Sequence, residues 1–148
     1  MVVAIVSVIL LLLCLAVVVA IAKDRGPSPE DIAVAYELAW DRLDFQALFS
    51  VSAVELRDGL DRRHFVAAKR AAYAERSELR GLVAHVVAED TAVRGEHAIV
   101  TTRVDLRDGT VVHNRIDLIR RTSRWQVYGY AVTSAPTAPS APGADESA

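Results

Sequence analysis

Residues 97–132 read HAIVTTRVDLRDGTVVHNRIDLIRRTSRWQVYGYAV, and how they alternate decides the fold. Apolar side chains recur at every second position, the period of a strand with one buried face. Residues 82–93 alternate in the same way. The runs 82–93, 97–106, 110–121 and 124–132 are separated by Arg94-Gly95, Asp108-Gly109 and Thr122-Ser123, which predicts a four-stranded antiparallel meander. A two-residue turn at Asp108-Gly109 would oppose Val104 to His113 and mix the two faces. A three-residue loop, Arg107-Asp108-Gly109 with the glycine left-handed, instead opposes Val104 to Val112, Thr102 to Asn114, Val100 to Ile116 and Ala98 to Leu118. A two-residue Thr122-Ser123 turn then sets Leu118 against Val127, Ile116 against Gly129 and Asn114 against Ala131. For the first hairpin two registers compete. An Arg94-Gly95 turn opposes Glu89 to Val100 and His85 to Val104, aiming both inward; a one-residue slip turns them outward and buries Ala84, Val86 and Ala88. The slipped register has the more apolar face and is the one expected.

Upstream, the period becomes helical. Ser28-Pro29-Glu30-Asp31 combines a capping serine, a proline at the first helical position and acids in the first turn. The face that follows is Ile32, Ala35, Tyr36, Ala39, Trp40 and Leu43. Asp44 caps a short second helix carrying Phe45, Leu48 and Phe49 on one side. Asp61 caps a third, through about Glu78, with Phe65, Ala68, Ala72 and Tyr73 inward and Arg62, Arg63, Lys69, Arg70 and Arg76 as a basic surface.

Three helices followed by a curved meander, with Ala39 to Phe45 (AWDRLDF) joining the first two helices, resembles the nuclear-transport-factor-2-like superfamily. The resemblance covers roughly residues 29 to 132 and implies an α+β cone with a pocket between helices and sheet. That superfamily includes isomerases, dehydratases, cyclases, adaptor domains and membrane-tethered modules. No position of this sequence matches an enzyme motif of the family.

The first 22 residues, MVVAIVSVILLLLCLAVVVAIA, carry no charge. As a helix they span ~33 Å, enough to cross a ~30 Å hydrocarbon core, and a retained single-pass anchor in the plasma membrane is expected, with the lipid bilayer as its partner. The alternative is a cleaved, exported domain, with Ala20-Ile21-Ala22 as the cleavage site. Lys23 and Arg25 follow the apolar run and no basic residue precedes it, which favours a cytoplasmic domain over an extracytoplasmic one. The expected organisation is a transmembrane helix at 1–22, a linker at 23–29, the α+β domain at 30–132 and a disordered Pro/Ala/Ser tail at 133–148.

The chain has 17 basic and 19 acidic side chains; Asp145 and Glu146 in the tail account for the difference, so the domain is neutral and no nucleic-acid partner is implied. Cys14 is the single cysteine, which excludes an intramolecular disulfide and a cysteine zinc cluster. The histidines at 64, 85, 97 and 113 are dispersed, and neither metal nor cofactor is expected.

On the buried sheet face Thr102 and Asn114 are the polar pair between apolar rows. One reading has them hydrogen-bonded to each other; the other makes them the anchor of a pocket lined by Tyr36, Trp40 and Tyr73. The opposite face holds Arg103, His113, Arg115, Asp117, Tyr128 and Tyr130, with Arg115 beside Tyr130 and Asp117 beside Tyr128. This is either a solvated face or the interface of a homodimer or membrane-protein partner. The leading functional expectation is an accessory binding or assembly module without turnover. The alternative is an isomerase-, dehydratase- or cyclase-like enzyme using His85 and Glu89 in the cone.

Overall fold

A computed structural model describes residues 12–16 and 26–133. Among the described residues no helix is long and apolar enough to cross a membrane. The expected span at 1–22 lies outside them except for residues 12–16, which are helical and exposed, and the expected tail lies outside them beyond Thr133.

Helix α1 (Pro29–Arg42) begins at a capping box: Ser28 Oγ accepts the Asp31 N–H at 3.1 Å, and Asp31 Oδ2 accepts the Ser28 N–H at 3.1 Å. It ends at Leu43, which takes the left-handed conformation (φ 51°) although it is not glycine. Asp44 then caps α2 (Phe45–Val51), its Oδ1 accepting the Ala47 N–H at 3.0 Å. The WDRLDF stretch is therefore a helix end followed at once by the next helix start, the caps Leu43 and Asp44 being adjacent. It also fastens the sheet, because Asp41 Oδ1 accepts the Val83 N–H at 2.9 Å.

Helix α3 (Arg62–Ala72) is capped by Asp61 and stops six residues short of the expected end. Tyr73 leaves the helix, and its ring packs 5.7 Å from both Trp40 and Phe45. Phe65 and Val66 are its buried residues; Ala68 and Ala72, expected inward, are exposed. Phe65 meets the Phe49 ring of α2 at 5.5 Å, so the helix makes its contact near its start and not at the alanines further along.

Strands β1 (Val83–Arg94), β2 (His97–Leu106), β3 (Val111–Arg121) and β4 (Arg124–Val132) form one antiparallel sheet in the order β1-β2-β3-β4. The β2–β3 register is the one the alternation predicts, with Thr102 opposite Asn114 and Val104 opposite Val112, and Gly109 at φ +87° closes the three-residue loop. The outer hairpins differ from expectation through bulges. β1 pairs Ala88 with Thr102 and Val86 with Val104, as in the slipped register, but one irregularity between Val83 and His85 leaves Ala84 exposed, and another between Ala88 and Asp90 shifts the rest so that Thr91 faces Val100 and the turn is Gly95-Glu96. β4 pairs Leu118 with Val127, then shifts, so that Asp117 faces Gly129 and Ile116 faces Tyr130. Val100, Ile116, Leu118 and Val127 of the sheet pack with Ala33, Tyr36, Leu48 and Phe65 of the helices in one core.

Candidate functional site

The inward stripe of α1 is Ala33, Tyr36, Glu37 and Ala39. Ala35, expected on that stripe, is exposed, and Glu37 takes a buried position at 7% exposure. A carboxylate goes inside only where donors wait for it. Thr102 and Asn114 supply them. They do not bond to each other: Thr102 Oγ1 and Asn114 Nδ2 each donate to Glu37 Oε1 at 2.8 Å, tying β2 and β3 to α1.

The β4 shift completes the nest. It moves Tyr130 from the outer face, where a bulge-free strand would leave it, to the helix-facing side, and its ring stands 5.8 Å from Tyr36. Tyr36 meets Trp40 edge-on at 6.5 Å, and Trp40 meets Tyr73 at 5.7 Å. The expected pocket residues Tyr36, Trp40, Tyr73, Thr102 and Asn114 thus lie in one continuous layer, and Glu37 and Tyr130 join it. Gly129, expected on this inner face, is on the outer one instead, where an added Cβ would stand 3.1 Å from Asp117 Oδ2.

Burial pushes the Glu37 carboxyl above its ordinary value, and the hydrogen bonds from Asn114 and Thr102 pull the other way. Burial also raises the Tyr36 and Tyr130 phenols, and the Glu37 charge raises both further. No lysine, arginine or histidine contributes to the Glu37 shift. Asn114 Oδ1 is buried and accepts no hydrogen bond among the described residues, and the Tyr130 phenol lies beside the same amide group. The nest therefore holds a carboxyl, an acceptor without a donor and tyrosine rings, and among the described residues no cation contributes to the Glu37 shift.

The other face of the sheet is different. His85 sits opposite Asp105 and is exposed; Glu89 lies at the β1 irregularity, its Oε2 3.3 Å from His113 Nε2. Neither side chain faces the interior, so the acid–base pair expected of the enzyme alternative does not form there. The bulges also undo the expected neighbours: Arg115 faces Ala131, and Asp117 faces Gly129. Arg103 and Arg115 are instead engaged within their own strands, by Asp105 at 2.9 Å and Asp117 at 2.8 Å, and Tyr128 packs against the His97 ring at 5.8 Å. Among the described residues no group of three His, Cys, Asp or Glu side chains is placed to hold a metal.

No family model matches the chain, and no curated protein matches it. Solved structures do. A protein of Campylobacter jejuni called a nuclear-transport-factor-2-like transpeptidase superposes with a TM-score of 0.54 at 16% identity, over 68% of this chain and 97% of that one. The chain has the nuclear-transport-factor-2-like fold. Two further structures are similar at lower scores. One is a nuclear-transport-factor-2-like protein of unknown function from Silicibacter pomeroyi (TM-score 0.46, 16% identity, 68% and 89% covered). The other, from Catenulispora acidiphila, has a ketosteroid isomerase-like fold and was solved with trimethylamine (0.42, 16%, 74% and 88%). At these identities the likeness extends to the fold and not to an activity. The nuclear-transport-factor-2-like cone places the Glu37 nest between its first helix and its sheet. Thr102 and Asn114 lie inward as the alternation predicts, whereas Glu37 was not expected there and Tyr130, expected on the outer face, lies on the helix-facing side. The signal available for Glu37 was its position four residues after Ala33 and three before Trp40, on the apolar stripe.

Proposed function

We propose that the chain is a single-pass, membrane-tethered binding module without turnover, whose cone receives a small organic ammonium group at the Glu37 nest. The orphan Asn114 Oδ1 carries this reading. A buried acceptor without a donor costs about 1–3 kcal/mol, which a ligand N–H would relieve. The surroundings favour a cationic ligand: among the described residues no cation contributes to the Glu37 shift, and aromatic rings such as those of Tyr36 and Tyr130 attract positive charge at their faces. The uncharged 1–22 segment supports the tether.

The test is a thermal-shift series on the full-length protein in detergent, with primary alkylamines and the alcohols of equal length as probes. Amines raise the melting temperature of the wild type and do so less for Glu37→Gln, while the alcohols change neither. Equal responses to both series, or no response to amines, contradict the reading.

A second reading is favoured by one observation, the raised carboxyl of Glu37 beside two phenols. An acid–base enzyme of this fold would use Glu37 as its base in place of His85 and Glu89. It is distinguished by chemical change of a bound amine or carbonyl compound that Glu37→Gln abolishes while binding persists.

A further inference from the structure

The β3–β4 hairpin tip joins the place where the chain enters the domain. Gly26 passes beside it: a Cβ there would stand 4.0 Å from Ser123 O. Three residues separate Gly26 from Ala22, the last of the uncharged run, so the tip stands within ~14 Å of that run's end plus the 4.0 Å contact. A hollow of about 460 Å³ opens at this point, lined among others by Ile32, Ser50, Thr122, Ser123, Arg124 and Trp125.

The tip's composition is unusual for a tight turn. Thr122 and Ser123 both take the left-handed conformation, at φ 50° and 63°, where Asn-Gly would sit without strain and a β-branched residue is rare. The strained pair presents two hydroxyls in place of an amide and a hydrogen. Arginine flanks them on both sides. Arg121 is held by Glu55 at 2.9 Å, Arg120 lies over the Trp125 ring at 5.4 Å, and Arg124 has no ion-pair partner among the described residues. With Glu55 offsetting Arg121, the charges of Arg120, Arg124 and neighbouring Arg57, two hydroxyls and a half-buried tryptophan share one end of the domain with Glu96, whose carbonyl accepts the Arg120 N–H. Arginine and tryptophan together suit the phosphate and glycerol layer of a bilayer.

We infer that this hairpin tip docks on the anionic headgroups of the membrane in which the chain is anchored. The inference rests on the tethered reading above. It fixes which end of the cone meets the lipid: the β3–β4 tip lies on the headgroups, and the basic face of α3 does not. That face carries Arg62, Arg63 and Arg70 around a second hollow of about 400 Å³, but nothing in the fold brings it to the chain entry.

The test uses the full chain, with Trp40→Phe so that Trp125 is the remaining tryptophan, reconstituted into vesicles that carry a nitroxide on the lipid headgroup. Two compositions are compared: phosphatidylcholine alone, and phosphatidylcholine with about 30% phosphatidylglycerol. Quenching of Trp125 rises about twofold in the anionic vesicles, falls back in ~0.5 M salt, and stays at the phosphatidylcholine level in the Arg120→Gln, Arg124→Gln double variant. Hydrogen exchange across residues 119–127 of the wild type gives the same comparison without the tryptophan change, as slower exchange on anionic vesicles. Equal values in both vesicle types, or a phosphatidylglycerol effect that survives the double variant and vanishes with Arg63→Gln and Arg70→Gln, overturn the docking and leave the tether intact. Release of the wild-type chain from the vesicles by alkaline carbonate overturns the tether, and the docking with it.

Discussion

Asn114 Nδ2 donates to Glu37 Oε1 at 2.8 Å across 77 positions of sequence, and Thr102 Oγ1 donates to the same oxygen at 2.8 Å. One carboxyl oxygen on α1 thereby fixes the middle of β2 and β3. The same arrangement leaves the amide oxygen of Asn114 without a donor among the described residues, so the contact that closes the fold also leaves an acceptor at its centre.

Thr102→Val removes one of the two donors and leaves the carboxyl with Asn114. The loss is about 1 kcal/mol, read as a lower urea midpoint with unchanged slope. Asn114→Ala removes the other donor and opens space beside Ile116, and costs more than Thr102→Val in the same measurement. If neither variant moves the midpoint, Glu37 is not held as described.

The pH dependence follows from the raised carboxyl. Folded protein binds the Glu37 proton more tightly than unfolded chain does, so this group's contribution is complete below the ordinary glutamate range and is lost as pH rises through the folded value. Glu37→Gln removes that decline, and urea unfolding between about pH 4 and 8 shows a flatter profile than the wild type. Amine binding has the opposite sign: it strengthens as pH rises through the same value, because the carboxylate is the partner. The variant lacks this dependence.

His85→Ala and Glu89→Ala act on the exposed face. Each changes stability by less than about 0.5 kcal/mol and leaves the amine response unchanged. An amine response lost in either variant would return the site to the outer face of the sheet.

In the turn, Thr122→Asn with Ser123→Gly relieves two left-handed residues and stabilises the domain by about 1 kcal/mol, measured by urea unfolding. A loss of stability would show that the hydroxyls hold the hairpin.

The meander was legible because strict alternation leaves one solution for the central hairpin, and Thr102 and Asn114 were legible because they interrupt an apolar face. The bulges were not. Each inserts one residue without changing composition, yet the one in β4 carries Tyr130 across the sheet and the second of the two in β1 leaves Glu89 beside His113. Glu37 escaped for a related reason: a carboxylate on a helix reads as solvent-facing until the donors that bury it are known, and those lie on strands 65 and 77 positions away. Ala35 took its place in the expected stripe.

The most direct test of the central claim follows the side-chain amide resonances of Asn114 in isotopically labelled full-length protein in micelles during titration with butylammonium. Those resonances shift saturably, and Glu37→Gln abolishes the shift. Resonances that stay fixed while the protein remains folded, or that shift equally with butanol, would contradict the claim.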